Sequence, residues 1–176
     1  METADRRLEQ LLAAQALTVA DRVREATQAA SAQEGGGPAA LVHLKAYPGI
    51  SVGDLERVLG LSQTGAVRLV ERLVDAALVE RRAGKDARTH ALSLTRAGAR
   101  TAARILEGRA TAVAPLLEHL TPSERADLER LLARIVEGLA GDRPGALTVC
   151  RLCDRDACCS GPGCPLDHTT RAQPGP

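Results

Sequence analysis

Apolar residues recur every three or four positions over most of the chain, a spacing that predicts amphipathic α-helices. The first predicted helix begins at Thr3 or Asp5 and extends to about Ala32, because the run Gly35-Gly36-Gly37-Pro38 breaks the pattern. We expect its buried side to carry five apolar residues: Leu8, Leu11, Leu12, Val19 and Val23. The pattern therefore indicates a long helix at the start of the chain.

A short second helix is expected over residues 38–47, because proline suits the first turn of a helix. Within it, Leu41 and Leu44 lie three positions apart and are expected to face inward. His43 falls between them and is expected to face the solvent. Pro48-Gly49 then ends the helix, and Ile50 and Val52 are expected to form or flank a brief edge strand against the wing described below.

Two helices joined by a tight turn are predicted in the centre of the chain. Ser51 can cap the first, and Gly60 supplies the left-handed conformation that ends it. Ser62 can cap the second, which turns four apolar residues toward a core: Val67, Val70, Leu73 and Val74. The first turns and the outward face of this helix carry side chains that can donate hydrogen bonds to base edges and phosphates: Ser62, Gln63, Thr64, Arg68 and Arg72. The pattern predicts a helix-turn-helix whose second helix enters the major groove.

A β-hairpin is predicted directly after these helices. Apolar residues stand on both sides of the polar loop 83–89, at Leu78 and Val79 before it and at Leu92 and Leu94 after it. That loop contains Lys85, Asp86 and Arg88. Because a basic hairpin that follows a helix-turn-helix is a wing, the predicted fold is mainly α with a small β-wing.

This stretch resembles the winged helix-turn-helix of the MarR family of transcription regulators. The resemblance lies in the order and spacing of Leu78-Val79-Glu80-Arg81, Asp86-Ala87-Arg88 and Leu94-Thr95-Arg96-Ala97-Gly98. Ala77 departs from the family, which usually has glycine before the Leu-Val pair.

The resemblance implies that Arg88 enters the minor groove while Asp86 holds its side chain in position. It also implies small phenolic ligands in a crevice between the DNA-binding unit and dimerisation helices. Tyr47 is the one aromatic residue available for stacking, so we name no small-molecule effector. A redox effector acting through the tail is the alternative.

Long helices are expected on both sides of the winged unit. Thr95 can cap a helix that extends through Leu120 and bends at Pro115. A capping box then begins at Thr121, and an unbroken apolar stripe continues until Gly141 ends the helix: Leu128, Leu131, Leu132, Ile135, Val136 and Leu139. A two-fold homodimer that buries this stripe would place two recognition helices about 34–36 Å apart, matching a pseudo-palindromic site on double-stranded DNA. The MarR resemblance implies the same arrangement.

The expected organisation has four parts. An N-terminal dimerisation helix occupies residues 1–37, and the winged helix-turn-helix occupies residues 38–95. C-terminal dimerisation helices follow over residues 96–143, and a cysteine-rich tail completes the chain over residues 144–176. We expect a sequence-specific DNA-binding regulator, most simply a repressor, with a possible metal or redox response through the tail.

Charge adds a local signal to this expectation. The net charge of the 176 residues is +1, so overall charge does not indicate a nucleic-acid partner. Between Glu80 and Arg109, however, eight arginine and lysine residues stand against three acidic ones. This excess surrounds the wing, where contacts to phosphates are needed.

Other classes of protein are not expected. No apolar run approaches the roughly 20 residues of a membrane span, and no signal peptide opens the chain. We therefore expect a soluble cytoplasmic protein without a membrane partner. Nucleotide-binding glycine loops and Ser-His-Asp constellations are missing from the sequence, so we expect no catalytic residues and no enzyme activity.

All five cysteines of the chain fall in its tail. In a cytosolic protein such a cluster more often binds metal than forms stable disulfides. Four-coordinate zinc is the leading interpretation, with these ligands: Cys150, Cys153, Cys158 and Cys164. Either Cys159 or His168 is an alternate ligand, but neighbouring Cys158 and Cys159 are not expected to bind together.

Three alternatives for the tail stay open. The run ends in Cys-Pro, as in ferredoxin-type ligation, so an iron–sulfur cluster would make the tail a redox sensor and the main functional site. A metal-free thiol switch is the next alternative, because Cys-x-x-Cys pairs form reversible disulfides. A disordered tail without a function is the last.

Overall fold

The structure is a computed structural model that describes residues 2–83, 90–160 and 162–166. It is mainly helical, with one two-stranded antiparallel sheet in the described part of the chain. The elements are α1 (Glu2–Ser31), α2 (Gly37–Ala46), α3 (Val52–Leu59), α4 (Gln63–Asp75), β1 (Val79–Ala83), β2 (His90–Leu94), α5 (Arg96–Val113), a 3₁₀ turn (Ala114–Leu117), α6 (Pro122–Glu137), α7 (Arg143–Val149) and α8 (Arg155–Cys158). The predicted fold class is confirmed.

The predicted caps of α3 and α4 are confirmed at the level of single hydrogen bonds. The Asp54 N–H donates to Ser51 Oγ at 3.1 Å, and the Ser51 N–H donates to the Asp54 carboxylate at 2.9 Å. Gly60 ends α3 with φ of +62°, the conformation that glycine adopts without steric cost. Ser62 Oγ accepts from the Gly65 N–H at 3.2 Å and starts α4.

The main core surrounds α2, which contacts α1, α3, α5 and β2. Leu41 and Leu44 are fully buried there, as expected. The solvent-facing position expected for His43 is wrong, because only 4% of this residue is exposed. A helix packed on all sides buries its polar positions as well as its apolar ones, and periodicity does not indicate that environment. Burial also lowers the pKa of His43, although the nearby Asp54 acts in the opposite direction.

The hairpin packs against the core through β2. Its register pairs Val79 with Leu94 and Arg81 with Leu92. Ile50 forms an isolated bridge to Leu92, whose N–H donates to the Ile50 carbonyl at 2.8 Å. The brief edge strand expected at Ile50 and Val52 is therefore present only as a single bridge at Ile50, because Val52 begins α3.

The C-terminal helices differ in length from the prediction. The helix predicted to bend at Pro115 instead ends at Val113 and continues as a 3₁₀ turn, because proline has no N–H to donate. The capping box at Thr121 starts α6 as expected, with the Thr121 N–H donating to Glu124 at 2.8 Å. Helix α6 ends at Glu137, with Gly138 as its C-cap, which is earlier than the predicted end at Gly141.

The long helices leave much apolar surface uncovered in the single chain. Burial was expected for Leu8, Leu11 and Leu12 of α1, but these side chains are exposed, whereas Val19 and Val23 are half-buried. On α6, the large apolar residues with the greatest exposure belong to the predicted stripe: Leu131, Leu132 and Ile135, with Leu139 just beyond the helix. The periodicity marked an apolar face correctly, but one chain does not bury it.

The tail contains two short helices that the sequence did not indicate. Asp142 caps α7, where the Gly145 N–H donates to its carboxylate at 2.8 Å. Ala146 of this helix forms a small second core with Ala140 and Leu166. The tail also contributes Leu152, which packs against the main core. In the described part of the chain, no helix combines the length and apolar character needed to cross a lipid bilayer.

Candidate nucleic-acid interface and thiol cluster

The face of α4 that points away from the core is polar. One side of the helix is buried, through Ala66, Leu69, Val70 and Leu73. The five predicted contact residues on α4 and its cap all lie exposed: Ser62, Gln63, Thr64, Arg68 and Arg72. The structure therefore brings hydroxyl, amide and guanidinium donors together at the start of an exposed helix, which suits contacts to base edges and phosphates.

Arg72 has an additional contact within the chain. Its Nη2 donates to the carbonyl of Glu34, in the segment between α1 and α2, at 3.4 Å. Arg72 therefore helps to position α4 against the end of α1, in addition to the role predicted for it.

The hairpin begins close to α4 and is anchored by the start of α5. The Thr95 N–H donates to the carbonyl of Leu78 at 3.0 Å, and its hydroxyl donates to the carbonyl of Ala77 at 2.7 Å. The same hydroxyl caps α5 by accepting from the Gly98 N–H at 3.0 Å. One side chain thus fixes the first residue of the hairpin relative to the next helix.

The sides of the hairpin expose two arginines. Arg81 is exposed, and exposed Arg82 forms an ion pair with Glu80, whose carboxylate accepts from Arg82 Nε at 2.8 Å. The wing residues predicted to contact DNA, Lys85, Asp86 and Arg88, lie outside the described residues. Their role stays a prediction.

Four of the five cysteines form a cluster of neighbouring thiols. The Cys153 thiol is hydrogen-bonded to those of Cys150 and Cys158. Cys164 lies close enough to interact electrostatically with Cys150 and Cys158. Cys159 is exposed at the end of α8, and the alternate ligand His168 lies outside the described residues. These four are the cysteines predicted to bind one metal ion, and that role stays a prediction.

The thiols perturb one another. A hydrogen bond from Cys153 lowers the pKa of Cys150, because it stabilises the thiolate. The same bond raises the pKa of Cys153, and burial adds to this increase. Burial raises the pKa of Cys158 to about 12, with the neighbouring thiols contributing further. In the described part of the chain, no three His, Cys, Asp or Glu side chains stand in a geometry that would hold a metal ion.

The cluster is connected to the winged unit by contacts that sequence reasoning missed. Arg155 stacks over Tyr47, with Cζ 5.2 Å from the ring centroid, and donates a hydrogen bond to the Tyr47 hydroxyl. Lys45 Nζ lies 3.8 Å from the carboxylate of Asp156. These partners are more than 100 residues apart in the chain, and no local pattern indicated that they would meet.

Comparisons with known proteins agree with this geometry. Residues 39–89 match the sequence profile of the MarR family, a segment that contains α3, α4 and the first half of the hairpin. A search of curated proteins found no match.

Solved structures extend the similarity beyond the winged unit. A MarR family protein from Bacillus stearothermophilus is 25% identical, with a TM-score of 0.69 over 78% of this chain and 96% of the other. RV1404 from Mycobacterium tuberculosis is 29% identical, with a TM-score of 0.64 over 78% and 93%. The multiple antibiotic-resistance repressor from Listeria monocytogenes is 22% identical, with a TM-score of 0.57 over 76% and 93%. Together these matches show that the chain is similar in fold to MarR family proteins over about three quarters of its length.

Proposed function

We propose that this MarR-type regulator acts in the cytoplasm as a homodimeric repressor, in which each subunit places α4 in the major groove of double-stranded DNA. The observation that carries the proposal is the two-sided character of α4. Its apolar side packs in the core, while Gln63, Thr64 and Arg68 are exposed together near its start. Members of the MarR family are transcription regulators, so the proposal involves no catalytic activity.

The exposed residues have different expected roles. Gln63 is placed to hydrogen-bond a base edge, because glutamine pairs with adenine in the major groove. Arg68 lies one turn further along the helix and is suited to a phosphate, a contact that positions the protein without specifying sequence. Arg88 is proposed to enter the adjacent minor groove, as the family resemblance implies.

The proposed dimer follows from the uncovered apolar surface. Leu8, Leu11 and Leu17 on α1 are between 56% and 70% exposed, a large exposure for leucines on one helix. The apolar stripe on α6 is uncovered as well. A second copy related by a two-fold axis offers the same surfaces in return, and it would set two recognition helices on one face of the duplex.

Selection from a pool of random duplexes, followed by fluorescence anisotropy with the selected duplex, tests the proposal. We expect Arg68→Ala and Arg88→Ala each to weaken binding and to reduce the slope of log affinity against log salt by about 1. Gln63→Ala should instead relax the preference for one base pair by about 1–3 kcal/mol.

Arg24→Ala is the matched control, because Arg24 is an exposed arginine of α1 that pairs with Asp21 and is not among the predicted DNA contacts. It should leave both affinity and salt slope unchanged. If the full chain selects no duplex at low ionic strength, or if all three arginine variants behave alike, the proposed interface is wrong.

A further inference from the structure

We propose that Cys150, Cys153, Cys158 and Cys164 are the ligands of one zinc ion, and that this ion orders the part of the tail that packs against α2 and α3. The four residues come from separate places: the end of α7, the turn after it, α8 and the loop that follows. Cys150 and Cys164 nevertheless pack against the same small apolar cluster, and the Cys153 N–H donates to the Cys150 carbonyl at 2.8 Å. Cys158 is close enough to interact with Cys153 and Cys164. This site goes beyond the DNA-binding function and does not depend on it.

The chemistry of the donor set favours zinc. Structural zinc sites are commonly formed by four cysteine thiolates in a tetrahedron. With Zn–S bonds of about 2.3 Å, the sulfurs of such a site lie about 3.8 Å apart, within the range of thiol–thiol contacts. Within the described residues, no three of these side chains are grouped so as to hold an ion. Binding therefore requires the sulfurs to move together and to release their protons.

Two arginines supply the charge that such a centre needs. Four thiolates around Zn²⁺ carry a net charge of −2. The guanidinium of Arg155 acts on Cys150, and that of Arg109, from α5, acts on Cys153. Positive groups on two sides of the cluster would stabilise a dianionic centre in this half-buried place.

The apolar packing of the tail is small. Its fully buried cluster consists of Ala140, Ala146 and Leu166, with Val136 and Val149 packed against it, and two of the three buried residues contribute a single methyl group each. Yet the tail makes several contacts with the winged unit: α7 packs against α3, and Arg155 stacks on Tyr47. A metal cross-link among four points of a 15-residue stretch would supply the missing rigidity, because metal binding is coupled to folding.

Cys159 provides an internal control for the ligand set. It is exposed and directly follows Cys158, so both thiols are not expected to reach one ion. Cys159→Ser should therefore keep the metal. Cys153→Ser and Cys158→Ser should lose it, because each removes a central member of the cluster.

The experiment measures metal in the full chain, purified with a reductant and without added metal. Elemental analysis of the wild type and Cys159→Ser should give one zinc ion per chain. Co²⁺ added to the metal-free protein should produce the absorption bands of tetrahedral thiolate coordination, and Zn²⁺ should displace it. In both ligand variants the affinity for Co²⁺ should fall at least 10-fold. Zinc should also protect the chain from tryptic cleavage after Arg151 and Arg155.

Circular dichroism of each variant verifies that the winged helix-turn-helix is folded. Two ligand variants are made so that the test still works if one of them fails to fold. Iron and sulfide in the purified protein, with a brown colour, would overturn zinc in favour of an iron–sulfur cluster. Metal-free protein that fails to bind Co²⁺ would overturn the metal site altogether. Equal loss of metal from Cys159→Ser would overturn the ligand set.

Discussion

Gly98 lies so close to the main-chain carbonyl of Leu78 that a methyl group on Gly98 would stand 1.9 Å from that oxygen. The contact joins the first turn of α5 to the residue before β1. Thr95 adds two hydrogen bonds to the same place. The position of the wing relative to α5 therefore depends on the absence of a side chain at Gly98.

We expect Gly98→Ala to destabilise the protein by about 3 kcal/mol, because a buried backbone carbonyl cannot move away cheaply. Urea unfolding followed by circular dichroism measures the change. Gly53→Ala is the control: this glycine lies in α3, and its new methyl group would meet only Ser51 Oγ at 3.8 Å. That variant should gain up to about 1 kcal/mol from helix propensity. Equal midpoints for Gly98→Ala and the wild type would contradict the close contact.

Ala77 occupies the left-handed region with φ of +55°, where a residue with a Cβ is strained. The family usually has glycine at this place, and the structure gives the physical reason. Ala77→Gly should therefore stabilise the protein by about 1 kcal/mol, measured by urea unfolding. Ala76 has an ordinary φ of −76°, so Ala76→Gly should destabilise it slightly. A loss of stability in Ala77→Gly would show that the strain is absent.

Local signals were sufficient for the helix caps, the strands and the exposed face of α4. The caps at Ser51, Ser62, Thr95 and Thr121 were predicted because a capping hydroxyl bonds to an N–H three residues away, within the same short segment. Strand positions followed from alternation for the same reason. The exposed face of α4 could also be predicted, because the helical period separates its two sides.

Long-range packing set the limits of prediction. His43 is buried because four elements surround α2, and Arg155 meets Tyr47 across most of the chain. The apolar face of the first helix was identified, but Leu8 is exposed in the single chain, because periodicity does not indicate what covers an apolar face. The cysteine cluster was recognised from spacing, whereas its position against the winged unit depends on tertiary contacts.

Asp54 makes stability depend on pH at the start of α3. Partial burial raises its pKa, but hydrogen bonds from Ser51 and the charge of Arg57 outweigh this effect and leave the pKa lowered. Because the folded-state pKa lies below the unfolded value, the carboxylate contributes stability that is present above about pH 4. This contribution is lost as the pH falls through the folded-state pKa.

Asp54→Asn should therefore cost about 0.5 kcal/mol at pH 7, a modest value because the Asp54 side chain is 42% exposed. The deficit should shrink below pH 4, as measured by urea unfolding across pH. Asp21→Asn, which breaks an exposed ion pair with Arg24, should cost less at pH 7. A deficit for Asp54→Asn that stays constant from pH 7 to pH 3 would contradict the role of its charge.

The proposed dimer is tested at Ile135, which is 45% exposed in the middle of the α6 stripe. Burying a carboxylate in an apolar interface is costly, and in a two-fold dimer the substitution places one carboxylate from each subunit there. Ile135→Glu should therefore raise the dimer dissociation constant at least 100-fold, which corresponds to about 2.7 kcal/mol. Sedimentation velocity across protein concentrations measures this, and affinity for a two-half-site duplex should fall with it. Ser123→Glu introduces the same residue at the exposed first turn of α6, where a carboxylate is favourable, and should leave the dimer intact. An unchanged dimer in Ile135→Glu would place the interface elsewhere on the chain.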